Sequence, residues 1–150
     1  MLVLLWLFVV TLGIAFGAGV YEHRIVVSRW IIAPDGGRWN ADAARRDDTG
    51  RRFWAFVTTG PLTLLTLASL VAAWRVDNPA RWWWLAAGFA ALADRAITFG
   101  YFIPSMLRLM QAADTPASAA AAARWRNLDY IRHAIVLAAW LAALQAFRLL

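Results

Sequence analysis

The chain has 150 residues, of which 62% are hydrophobic and 16% charged, with a formal net charge of +6 and no cysteine. A soluble domain is nearer half apolar, and the missing thiols exclude disulfides, thiolate catalysis and cysteine metal sites. All fifteen basic residues are arginine and sit mostly at the ends of apolar runs, where arginine orients a membrane protein and meets anionic lipid, so no nucleic acid partner is expected.

Four apolar runs of 19–22 residues stand out, at 2–20, 53–74, 82–103 and 131–149. A helix needs about 20 residues to span the hydrocarbon core. The expected fold is therefore all-α: a single four-span domain over 1–150, an integral membrane four-helix bundle in the lipid bilayer. The first run lacks a basic leader and exceeds the apolar length of a signal peptide, so it is read as a retained span. It ends at YEHR, 21–24. Its Gly13 and Gly17 form a GxxxG pair, and with Ala15, Ala18 and Gly19 they predict close helix packing.

A polar loop follows to about Arg52. It contains the turn signal PDGG at 34–37 and a short helix over 40–48 capped by Asn40. The second span carries Thr58, Thr59, Pro61, Thr63 and Thr66; Pro61 predicts a kink whose freed carbonyls the threonine hydroxyls can bond. The tight link 74–81 makes spans two and three antiparallel neighbours. The third span is expected to stop near Pro104. Thr115 as N-cap and Pro116 at the first position then open a last helix with no breaker until 149. At 1.5 Å per residue that helix is roughly 50 Å long, so its first turns project from the membrane.

Ten arginines lie in 21–52 and 104–130, against Arg75, Arg81 and Arg148 at the opposite ends of the spans. The positive-inside rule places the ten in the cytoplasm and both termini outside, as expected for a polytopic protein of the bacterial inner (plasma) membrane. Trp30, Trp54 and Trp125 would mark the cytoplasmic interface, and Trp74 with Trp82–Trp84 the other.

Polar groups from every span fall in the cytoplasmic half. Asp94 is about 18 Å along the third helix, and Thr98, Tyr101 and Ser105 follow on its face. Glu22 and His23 close the first span, Thr58 and Thr59 lie inside the second, and Asp129, Arg132 and His133 begin the fourth. This predicts a polar pocket lined by Glu22, Asp94, Arg95, Thr98, Thr59 and Trp140. A charge at this depth costs at least about 2.5–3.5 kcal/mol unless partnered. Cross-helix pairs are expected: Asp94 with Arg132 or His133, and Arg95 with Glu22 or Asp129.

Three stretches, GAGVYEH at 17–23, YFIPSMLRLM at 101–110 and RWRNLDYIRH at 124–133, resemble the anthrone-oxygenase-like family of small four-span membrane proteins, in order and spacing over nearly the whole chain. Family members typically carry Trp, Asn and Arg at the positions of Trp125, Asp129 and Arg132; here aspartate replaces asparagine. Many have asparagine at the position of Met106. The resemblance implies oxidation of an anthrone to an anthraquinone with O2 and no metal or organic cofactor.

Such chemistry needs a base and a group to hold the enolate oxygen. His133 or His23 could be the base, with Asp129 orienting His133. Arg132 or Tyr101 could hold the oxygen, beside an apolar wall of Trp140, Phe99 and Phe102, with a small hydrophobic aromatic as substrate. Three alternatives stay open. One is a b-type haem or quinone held near His23 and His133. Another is a metal bound by Glu22, His23, Asp94 and His133, although no ExxH-type motif is present. The last is a structural or accessory protein, in which the same groups only fix helix register. Transport would need a homo-oligomer to form a path.

Overall fold

The structure is a computed structural model and describes residues 1–32, 37–77 and 79–150; the turn signal at 34–37, apart from Gly37, and Asn78 of the link lie outside them. The chain is almost entirely helical. Helix α1 (Leu2–Tyr21) passes through a π-helical turn (Glu22–Val26) into α2 (Val27–Trp30). The first span's helix therefore does not end at YEHR. It outlasts its apolar run because backbone bonding continues past the point where the side chains turn polar. A short antiparallel pair, β1 (Ile31–Ile32) and β2 (Arg38–Trp39), matches Ile31 with Trp39 and leads into α3 (Ala41–Asp47). Asn40 caps α3 as expected, its side chain accepting from the Ala43 amide at 3.0 Å.

A π-helical stretch (Gly50–Thr59) feeds α4 (Pro61–Ala73). The hydroxyls of Thr63 and Thr66 bond the carbonyls of Thr59 and Leu62, each four residues back and both at 2.7 Å; neither is the carbonyl before Pro61 that the proline leaves without its N–H. Helix α5 (Ala80–Ile97), a π turn (Thr98–Phe102) and α6 (Ile103–Gln111) then form one continuous rod. Pro104 does not stop it: the proline follows the π turn directly and lies in the first turn of α6, and the helix continues to Gln111. Helix α7 (Pro116–Arg148) runs unbroken, with Thr115 and Ser118 in a reciprocal capping box.

Three of these segments are long and apolar enough to cross a membrane: Leu2–Trp30, Gly50–Ala73 and Pro116–Arg148. Four spans are expected from the sequence. The rod 80–111 has the length, but Trp82–Trp84, Asp94 and Arg95 lower its apolarity below that of the other three.

Helix α7 packs on α1 and α5, and α4 packs on the same two helices. Antiparallel contact between α4 and α5 follows from the short link. One core lies among these four, with Leu5, Phe8 and Leu12 of α1 facing Leu62, Trp84, Val136 and the small stripe Ala139, Ala143 and Ala146. Small side chains let helix axes approach closely. The outside is apolar as well: Val3, Leu64, Val71, Phe89 and Leu141 are exposed. A surface of that kind suits hydrocarbon rather than water.

A second core caps the arginine-rich end, where Val27, Trp30, Ile31, Trp39 and Ala44 pack with Phe102, Leu109, Ala122 and Trp125. The expected tryptophan belt divides here. Trp74, Trp82 and Trp83 are exposed, but Trp30 and Trp125 are 2% and 7% exposed. They are core residues because their indoles find polar partners inside: Trp30 Nε1 donates to Asp47 at 2.8 Å, and Trp125 Nε1 to the Phe102 carbonyl at 3.2 Å. Trp84 is also buried.

Outside the membrane-spanning segments, the cap is pinned by Asp114. Its carboxylate accepts from the Trp39 amide at 3.1 Å and from Arg38 Nε at 3.0 Å. These two donors hold the Asp114 carboxyl below the usual carboxylate range.

Candidate functional site

Two helices build the polar centre. On α7, Asp129, Arg132 and His133 stand at i, i+3 and i+4, so they share one face. On the first helix, Glu22 and His23 are neighbours that a regular α-helix would turn 100° apart. The π turn beginning at Glu22 changes that rotation, and both are buried. Single π turns of this kind recur at functional sites.

Asp129 is the hub. Its Oδ2 lies 3.1 Å from His23 Nδ1, and its Oδ1 accepts from Arg132 Nε at 2.7 Å. Its backbone carbonyl lies 2.6 Å from His133 Nδ1, while the carboxylate is 3.5 Å from that nitrogen. The expected orientation of His133 by Asp129 therefore runs through the carbonyl, and the carboxylate orients His23. A carbonyl only accepts, so in the neutral ring His133 Nδ1 carries the proton and Nε2 the lone pair. Neutral His23, donating from Nδ1 to a carboxylate, likewise presents Nε2 as a lone pair.

The surrounding shell is tight. Tyr130 lies against His23 with ring centroids 4.1 Å apart, and the two histidine rings meet edge to face at 5.8 Å. Arg132 sits over the Phe102 ring at 4.9 Å. Glu22 accepts from the Thr49 hydroxyl and, at 2.8 Å, from Trp54 Nε1. His133 Nε2 is buried without a hydrogen-bond partner among the described residues. It lies against Gly19, where a Cβ would come 2.9 Å from His133 Cδ2 and closer still to Nε2.

Other expected site residues go elsewhere. Asp94 and Arg95 are buried but do not cross to the other helices. Arg95 folds back, donating to Asp94 Oδ2 from Nε at 3.0 Å and from Nη2. The backbone directions of neighbours do diverge, but three methylenes and a guanidinium are long enough to close the gap. Thr98 is buried, and its hydroxyl makes no hydrogen bond among the described residues. Tyr101 leaves Asp94's face because the π turn at Thr98–Phe102 breaks the i+7 relation; Phe102 is buried in its place. Tyr101 instead lines a groove of about 680 Å3 with Ser105, Arg108 and Arg124. Thr59 is half-buried and offers its carbonyl to Thr63. Trp140 stacks near Phe16 at 6.1 Å and covers Gly13, where a Cβ would lie 3.0 Å from the indole. Of the expected GxxxG pair, only Gly13 makes a close approach; Gly17 faces open space.

Comparison with family models, with curated proteins and with solved structures found no match.

Four contributors carry no sequence signal for this role. Thr49 lies in a polar loop and Tyr130 in no motif. Trp54 has the pattern of an interface marker. Gly19 has the pattern of general helix packing, although its small size is what admits the His133 ring.

Proposed function

We propose that the chain is an integral membrane four-helix bundle, with the rod 80–111 as its fourth span, and an oxygenase-like enzyme of the anthrone-oxygenase-like type. Its substrate is a small hydrophobic aromatic compound with an acidic C–H. The reading places it in a bacterial inner membrane with the arginine-rich cap in the cytoplasm.

The observation that carries the reading is the 3.1 Å contact between His23 and Asp129. It joins an imidazole and a carboxylate from two helices in a buried place, leaving Nε2 of the ring as a base. Among the described residues only Nε of Arg132 is hydrogen-bonded, so its remaining N–H groups can hold a developing enolate oxygen. The base takes a proton from the methylene, the carbanion adds O2, and loss of water leaves a ketone. One oxygen atom of O2 stays on the ring carbon, and the other leaves as water with both methylene hydrogens.

The proton step can be tested without O2. Purified protein in nanodiscs, kept anaerobic with anthrone in heavy water, should accelerate deuterium exchange at the methylene. His23→Ala should abolish that acceleration. Exchange no faster than in empty nanodiscs would overturn the reading.

A structural reading is favoured at one place. Asp94 and Arg95 close on each other, which suits a pair that neutralises itself at bilayer depth. Asp94→Asn is therefore expected to lower stability while leaving the exchange reaction intact in the folded fraction.

A further inference from the structure

The same cluster has a second property that does not depend on base catalysis. Asp129 Oδ2 lies 3.1 Å from His23 Nδ1 and 3.5 Å from His133 Nδ1. One donor atom from each of the three residues lies within 4.8 Å of the other two. Ligands held about 2.0–2.1 Å from one ion are about 2.9 Å apart at right angles and about 3.4 Å apart in a tetrahedron. The two observed edges are close to that range.

We propose that His23, Asp129 and His133 form a binding site for one divalent first-row transition-metal ion. Two imidazole nitrogens and one carboxylate oxygen select Mn2+, Fe2+, Co2+ or Zn2+ over Mg2+ and Ca2+, which prefer all-oxygen sets. Three protein ligands leave coordination positions open for an exogenous group.

The neighbours serve the site as a supporting layer. Arg132 takes Asp129 Oδ1 and turns Oδ2 toward the histidines. Tyr130 backs the His23 ring. Gly19 gives the His133 ring its room. Such contacts fix the orientation of metal ligands. All three ligands are buried, at 6%, 2% and 9% exposure, so the ion is shielded from bulk water. It takes the place of the protons between the rings and Asp129, so metal occupancy and metal-free base action by His23 exclude one another.

The test uses tag-free protein in detergent, stripped with chelator and dialysed separately against Co2+, Zn2+ and Mg2+. Bound metal per chain is measured by elemental mass spectrometry. One equivalent of Co2+ and Zn2+ should be retained, and Mg2+ should not. Asp129→Asn, His23→Ala and His133→Ala should each weaken binding beyond the roughly 10–100-fold of outer-layer changes, while Asp114→Asn, in the cap, should keep it. Wild-type protein loaded with Cu2+ should show hyperfine coupling to two imidazole nitrogens in its electron paramagnetic resonance spectrum, a reading that does not depend on any variant folding. No retention by the wild type, retention that no ligand substitution weakens, or a spectrum without imidazole nitrogen would each overturn the proposal. Deuterium exchange by metal-free protein is a separate measurement, so either reading can fail alone.

Discussion

Gly19 of α1 and His133 of α7 are in contact across the helix interface, and the absence of a Cβ on one is what seats the ring of the other. The ring has little freedom to retreat, since its Nδ1 is held by the Asp129 carbonyl and His23 stands at its edge. Gly19→Ala should therefore cost about 1–3 kcal/mol through overpacking and displace His133. Gly17→Ala, facing open space on the same helix, should be neutral or slightly stabilising, because alanine favours the helix by about 1 kcal/mol over glycine. Unfolding titrations of the two variants in mixed micelles check the contrast; equal losses would contradict it.

Asp129→Asn keeps the side-chain shape and the backbone bond to His133 but removes the charge that Arg132 meets. Breaking a buried pair by removing one partner typically costs about 3–5 kcal/mol. Arg132 keeps some solvent access, with 15% of its side chain exposed, so a loss nearer about 2–3 kcal/mol is expected. Arg132→Met made in the Asp129→Asn background should then add little. A double-mutant cycle measures this, and purely additive losses would mean the two side chains are not coupled.

The Asp94–Arg95 pair should behave in the same way but at greater depth. Asp94→Asn leaves a buried guanidinium without its carboxylate, and about 3–5 kcal/mol should be lost. Replacing both residues, Asp94→Leu with Arg95→Met, should recover most of it. Metal retention and deuterium exchange should be unchanged in the double variant, because neither residue reaches Asp129. Loss of either property at full stability would place Asp94 or Arg95 in the site.

Asp114 gives the cap an acid-sensitive clasp. Its folded carboxyl is held below the ordinary range by the Trp39 amide and Arg38. A carboxyl lowered on folding stabilises the folded state above its unfolded pKa of about 3.9, and that contribution fades as pH falls through the folded value. Amide exchange at Trp39 should therefore quicken as pH drops below about 4, after correction for intrinsic exchange. Asp114→Asn should raise Trp39 exchange at neutral pH and remove the acid dependence. An unchanged pH profile in that variant would assign the effect to another group.

Position along the helix axes could be read from the sequence, and rotation about them could not. Counting 1.5 Å per residue places Glu22, His23, Asp129, Arg132 and His133 at one level along the helices, and the structure brings them together. Rotation fails wherever the helix changes period. The π turn after Thr98 moves Tyr101 off Asp94's face and brings Phe102 in, while the one at Glu22 lets two neighbours share the interior. Partner choice was hidden for a different reason. Asp94 and Arg95 are adjacent, and only the reach of a long side chain decides whether such neighbours pair with each other or across the bundle. The caps at Asn40 and Thr115 were legible because they depend on a few local residues. The buried indoles of Trp30 and Trp125 were not, since their carboxylate and carbonyl partners come from distant parts of the chain.

Helix α7 belongs to both cores: Val136 to Ala146 lie in one, Ala122 and Trp125 in the other, and the His–Asp cluster sits between them. Its 33 residues rise about 50 Å, some 20 Å more than the hydrocarbon is thick. The cluster therefore stands at the joint between the half of α7 packed in the bundle core and the half clamped to the cap, and a change in the angle between those halves would reach Asp129 and His133 first.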